Sequence, residues 1–104
     1  MSLIVDRSRE EIVTGLTRLE SELRAHGVVR LAIFGSRARG DHRPDSDLDV
    51  LIDVEPGRKF SLLDVVGVSH IISDRLGIPA NIFMRRSLQP DMAAAVRPDM
   101  IEIF

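Results

Sequence analysis

Two carboxylates, Asp47 and Asp49, stand two residues apart at the head of an apolar run ending at Val54, and a Gly35-Ser36 pair closes the apolar run before it. On a strand, residues two apart share a face and lie roughly 6.5–7 Å apart along the chain. The two acids therefore converge on one side of a sheet, where isolated carboxylates are costly unless they are paired or hold a metal. Hard divalent ions such as magnesium take one or two carboxylates together with substrate phosphates. Two such ions about 3.5–4 Å apart can clamp the attacking and leaving oxygens of a phosphoryl transfer. The Gly35-Ser36 turn is the complementary half. Glycine lets the backbone approach a ligand, and amides opening a helical turn offer donors to a phosphate. Arg37 and Arg39 follow at once, with guanidinium forks suited to phosphate oxygens. Each piece alone has a bland explanation: a solvated strand end, a common turn, a basic edge. In this order they describe donors for a triphosphate and ligands for its metals.

Those residues need elements to hold them. Ser8 and Glu11 have capping-box spacing and open a helix whose stripe Ile12, Leu16, Leu19 and Leu23 ends at Gly27. Val28 to Phe34 reads as a buried strand, Gly35 to Arg39 as a turn with one helical turn, and Gly40 to Ser46 as a polar loop. Asp47 to Val54 is the second strand. Ser61 caps a second helix, with Asp64 at the capping-box position, and Gly77 ends it. Pro79 to Met84 is a third strand, Ser87 to Val96 a third helix, and Ile101 to Phe104 a short apolar end. Residues 1–104 read as one α/β domain (α+β type) with few strands. In the second helix Leu62, Val65, Val66, Ile72 and Leu76 share a stripe, while Leu63, Val68 and Ile71 spread beyond it. Either the terminal helix covers these three, or they meet another chain, a second copy included.

Composition narrows the function classes. Hydrophobic residues make up 44% of 104 residues and charged residues 29%, the balance of a folded globular chain. The net charge of −2 provides no basic field for nucleic acid. With no Trp, no Tyr and four Phe, a base-stacking platform is not expected. The absence of cysteine excludes thiolate metal sites and disulfides and fits a reducing cytoplasm. No apolar run approaches the roughly 20 residues of a membrane span. The opening residues, with acids close behind, do not read as a signal peptide. His26, His42 and His70 have no metal-ligand spacing.

Gly35-Ser36, the ten residues Arg37 to Ser46, then Asp47-Leu48-Asp49 reproduce a family signature. The chain resembles the minimal nucleotidyltransferases of the DNA polymerase beta superfamily, and the similarity continues through "EPGRKFSLLDVV", "LGIPANIF", "RRSLQPDM" and "DMIEIF". The resemblance implies a polymerase-beta-like fold, a small mixed sheet with helices on one face and the nucleotide cleft on the other. It implies transfer of a nucleoside monophosphate from magnesium-bound ATP, with two Mg2+ ions in the active form. Carried over by residue, Gly35, Ser36, Arg37, Arg39 and Ser46 line the nucleotide, and Asp47 and Asp49 bind the metals. It also implies a protein partner: such chains resemble the antitoxin half of HEPN–MNT pairs, which attaches AMP to a HEPN ribonuclease.

One position departs from the family. Its third carboxylate, expected on the strand after the second helix, is here Asn81, similar in shape but neutral and unable to act as a general base. Asp53 has the right strand parity but lies roughly 13 Å along the strand from Asp49, too far to share an ion. Two functions therefore follow from the sequence: an AMP-transferring enzyme, or a catalytically impaired nucleotide-binding subunit that neutralises a HEPN-type partner by contact.

Overall fold

The computed structural model describes residues 7–104; residues 1–6, which include the segment read above as no signal peptide, lie outside the described residues. Helix α1, Arg9–Arg18, opens on a complete capping box between Ser8 and Glu11. The expected single helix tightens at Leu19, whose N–H bonds the Leu16 carbonyl, and resumes as α2, Glu20–Ala25. The stripe is unaffected: Ile12, Leu16, Leu19 and Leu23 are all buried. Gly27 follows at φ 97° and hands the chain to β1, Val28–Phe34.

The sheet has four strands in the order β3-β2-β1-β4. Strand β2, Leu48–Val54, pairs antiparallel with β1 and parallel with β3, Ala80–Met84. A parallel neighbour needs a crossover, and α4, Leu62–Leu76, provides it between the Ser61–Asp64 capping box and Gly77. The chain's apolar end forms β4, Ile101–Glu102, on the free edge of β1. This is the mixed α/β arrangement expected, with the strand alternation splitting β2 cleanly. Leu48, Val50, Ile52 and Val54 face the main core with the α1, α2 and α4 residues. Asp49, Leu51 and Asp53 face the other way.

Two expectations about the helices need correcting. The third helix is shorter than read: Arg85–Ser87 forms a 3₁₀ turn and α5 runs only Pro90–Val96. A residue before proline is pushed out of the helical region, and Gln89 indeed sits at ψ 145°, with Pro90 in the first turn. This helix does not join the others. Its Val96 packs with Ala32, Phe34 and Leu51 on the opposite face of the sheet, so helices cover both faces in part.

The second correction concerns α4. Val68 is 1% exposed and belongs to the core, and Ile71 packs partly against it. The outward residues are Leu62, 78% exposed, and Leu63, 82% exposed, with Val66 beside them. A surface made of Leu63, Val68 and Ile71 does not exist, because Val68 points inward with Ile72 and Leu76. Among the described residues no helix is long and apolar enough to cross a membrane.

Candidate active site

Register brings the chemistry together. Asp49 lies opposite Phe34 on β1 and opposite Asn81 on β3. One row along, Ala32, Leu51 and Phe83 occupy the same face, and the Phe34 and Phe83 rings meet at 5.4 Å. A further row along, Arg85 Nε donates to both oxygens of Asp53, at 3.0 and 3.2 Å. The face thus reads as a polar row, an apolar band under α5, and an ion pair. Asp53 is engaged at the far end and does not approach Asp47 or Asp49 as a substitute ligand.

The polar row is tightly connected. Asn81 Nδ2 donates to Asp47 Oδ2 at 3.2 Å and to Asp49 Oδ1 at 3.3 Å. Asp49 Oδ2 reaches back to the turn, so close to Gly35 that a Cβ added there would collide with it. Gly35 also sits at φ 78° and ψ −158°, an essentially glycine-only region where an L side chain costs about 1–3 kcal/mol. Both reasons require glycine. After Gly35 the chain makes one helical turn, α3, Ser36–Arg39, closed by the Gly40 N–H on the Ser36 carbonyl.

Two serines of α4 fix the Asn81 strand. Ser69 Oγ donates to the Ala80 carbonyl at 2.8 Å, and Ala80 N–H donates to Ser73 Oγ at 3.1 Å. The Leu48 N–H meets the Pro79 carbonyl at 2.8 Å, locking the start of β3 to the start of β2. Nothing in the spacing of Ser69 and Ser73 distinguishes them from polar residues on a solvated helix face.

Both arginines of the turn already have partners within the chain. Arg37 is 0% exposed. Its Nε donates to the Ser46 carbonyl at 2.9 Å, one terminal nitrogen to the Pro44 carbonyl at 3.2 Å and the other to the Arg7 carbonyl at 3.5 Å. The guanidinium therefore points into the loop that leads to Asp47. Arg39 is exposed but bridges Asp41 at 3.0 Å and Asp99 at 3.1 Å, and these bonds hold its pKa above the ordinary value. Ser46 closes the same loop: its Oγ accepts from the Arg43 N–H, and its own N–H bonds the Arg43 carbonyl. His42 lies half-buried in that loop. Gly35, Ser36, Asp47, Asp49 and Asn81 thus gather at the open end of the sheet, with Arg37 and Ser46 as the frame behind them.

Two converging carboxylates suit one hard cation, which commonly takes substrate phosphates as its other ligands. Among the described residues no cluster of three or more His, Cys, Asp or Glu could hold a metal, so the donor set is this pair plus a neutral amide.

Residues 16–99 match the nucleotidyltransferase domain family. The protein adenylyltransferase MntA of Thermococcus cleftensis is 34% identical over 95 residues, which cover 90% of this chain and 94% of that protein. A solved structure described as a minimal nucleotidyltransferase superposes with a TM-score of 0.77 at 35% identity, covering 91% of this chain and 95% of the other. A chain from a complex of tri-AMPylated Shewanella oneidensis HEPN toxin with MNT antitoxin gives a TM-score of 0.66 at 12% identity, covering 89% and 71%; at that identity the likeness is one of fold. The chain belongs to the nucleotidyltransferase domain family. Within it, the chain is a minimal nucleotidyltransferase of the adenylyltransferase type.

Proposed function

We propose that this chain transfers AMP from magnesium-bound ATP to a hydroxyl of a HEPN-family protein partner, as the antitoxin of such a pair. The observation that carries this reading is the convergence of Asp47, Asp49 and residue 81 beside the Gly35 turn on one face. Similarity to an adenylyltransferase across most of the chain supports it. Ser36 and the neighbouring amides would hold the phosphates, and Asp47 and Asp49 the magnesium. The bound ion would neutralise charge on the transferring phosphoryl group and its leaving pyrophosphate. The carboxylates orient that assembly against the open end of the sheet, where Asp47 and Asn81 are exposed. Asp47 and Asn81 therefore face whatever acceptor arrives there.

Asn81 favours a second reading, a nucleotide-binding subunit that neutralises its partner by contact with little or no transfer. The residue donates hydrogen bonds and accepts no proton from an attacking hydroxyl. General-base help typically contributes about 10²–10⁴-fold, so its loss leaves slow chemistry. Transfer of label from α-labelled ATP to the protein encoded beside this chain separates the two. Native protein should transfer slowly, and Asn81→Asp should accelerate transfer by about 10²–10⁴-fold. Rapid native transfer that Asn81→Asp leaves unchanged would remove position 81 from the reaction. No transfer by either form, with the partner still neutralised, would establish the contact reading.

A further inference from the structure

We propose, resting on that reading of the site, that the native chain binds one divalent cation with its nucleotide, on the Gly35 side of the Asp47–Asp49 pair, and that the Asn81 amide closes the place of a second. The carboxylate oxygens face two directions. Asp47 Oδ2 and Asp49 Oδ1 turn toward β3 and accept from Asn81 Nδ2. Asp49 Oδ2 turns the other way, against Gly35 and the turn that would receive phosphates. A cation needs lone pairs. On the turn side it finds a carboxylate oxygen and the nucleotide, whereas on the β3 side it meets an NH2 group that carries protons and no available lone pair.

The orientation of the amide follows from its neighbours. Turning Asn81 to present Oδ1 would set a third oxygen against two carboxylates and lose both hydrogen bonds. Charge bears in the same direction. Two carboxylates balance one divalent ion. A second ion about 3.5–4 Å from the first would be held against their mutual repulsion by the nucleotide's phosphates, with little added by the protein. Asn81 has no charge to give, and Asp53, the next acid on this face, is held by Arg85. No third acid joins the cluster among the described residues.

The amide has a positive role as well. By donating to both carboxylates it draws together two like charges that would otherwise repel, so the pair keeps its geometry before any ion arrives. Substituting Asp at this position reverses both effects: it opens the second place and adds the charge to fill it.

Manganese is the probe, titrated into the full chain in the presence of a non-hydrolysable ATP analogue and followed by electron paramagnetic resonance. Native protein should bind a single ion per chain, with the spectrum of isolated Mn2+. Asn81→Asp should take up a second ion and develop the exchange-coupled signal of a close pair. Asn81→Ala, which removes the donor without adding charge, should remain at a single ion. A coupled pair in native protein would overturn the inference while leaving nucleotide binding in place. Asn81→Asp that binds only a single ion would overturn the part assigned to residue 81. No ion bound by native protein with the analogue present would overturn this inference and the nucleotide reading together. Should Asn81→Asp not fold, the native stoichiometry and Asn81→Ala still decide.

Discussion

Replacing Arg37 by methionine keeps much of the side chain's length and removes its donors, which makes it a direct test of what the motif arginine does. In the structure the guanidinium serves the carbonyls of Ser46 and Pro44 at 2.9 and 3.2 Å, with a longer contact to Arg7. Hydrogen bonds involving a charged group are each worth about 1.5–3 kcal/mol, so the two shorter ones together represent about 3–6 kcal/mol. A domain of this size has about 5–15 kcal/mol of total stability. The loss is therefore a large share of the whole. At roughly 4 °C or more per kcal/mol, the melting temperature of Arg37→Met should fall by roughly 12 °C or more. Arg37→Lys, which keeps the charge but not the fork, should fall between the two. Thermal unfolding of the full chain measures this, and binding of an ATP analogue is measured well below both transitions. A variant that melts with native protein but has lost affinity for the triphosphate would refute the assignment and return Arg37 to the nucleotide.

Gly35→Ala adds a Cβ where Asp49 Oδ2 lies and forces an L residue into a positive φ. It should weaken Mn2+ binding in the analogue complex by more than tenfold, whereas Gly57→Ala, at nearly the same positive φ but with nothing near its Cβ, should leave binding intact. Leu63→Ala should change stability by no more than about 0.5 kcal/mol, and Ile72→Ala should cost about 2–5 kcal/mol; equal effects in urea unfolding would contradict the orientation given to α4. Hydrogen bonds from Ser8 and Ser61 lower the pKa values of Glu11 and Asp64. Their contribution is complete above the ordinary carboxylate range and lost as pH falls through the depressed folded-state values. Asp64→Asn should accordingly lose stability at neutral pH and show a flatter decline on acidification, and parallel acid limbs in urea unfolding would contradict this.

The parts of the fold that could be read from sequence are those with local physical signals. The starts of α1 and α4 carry reciprocal caps, β1 ends at a glycine with positive φ, and the two-residue period of β2 separates its acids from its core residues. Position 81 could be anticipated only through the family pattern, and its register opposite Asp49 gives that expectation a geometry. Other features depend on where distant chain segments fall. An arginine in a polar stretch looks the same whether it meets phosphate or carbonyls, and only the return of the loop at Pro44 and Ser46 decides it. In α4 the stripe read from sequence includes Leu62 and Val66, which the structure leaves exposed, so the stripe alone misplaces the inward face; β3 and the main core fix it. The crossing of α5 to the far face follows from Pro90 ending one path and from the Ala32, Phe34 and Leu51 band that awaited cover.

Asp47 and Asn81 are exposed at the start of two neighbouring strands, one of them the sheet's outer strand. Charges there act through water, which weakens every attraction the site can exert on a phosphate. The acceptor proposed above would change that medium as well as supply a hydroxyl. By displacing solvent from the rim it would lower the local dielectric and strengthen the same fixed charges at the moment they are needed. On the proposed function, ATP resting in a site this open would face a weak field without an acceptor, and full polarisation would wait for the partner to complete the wall.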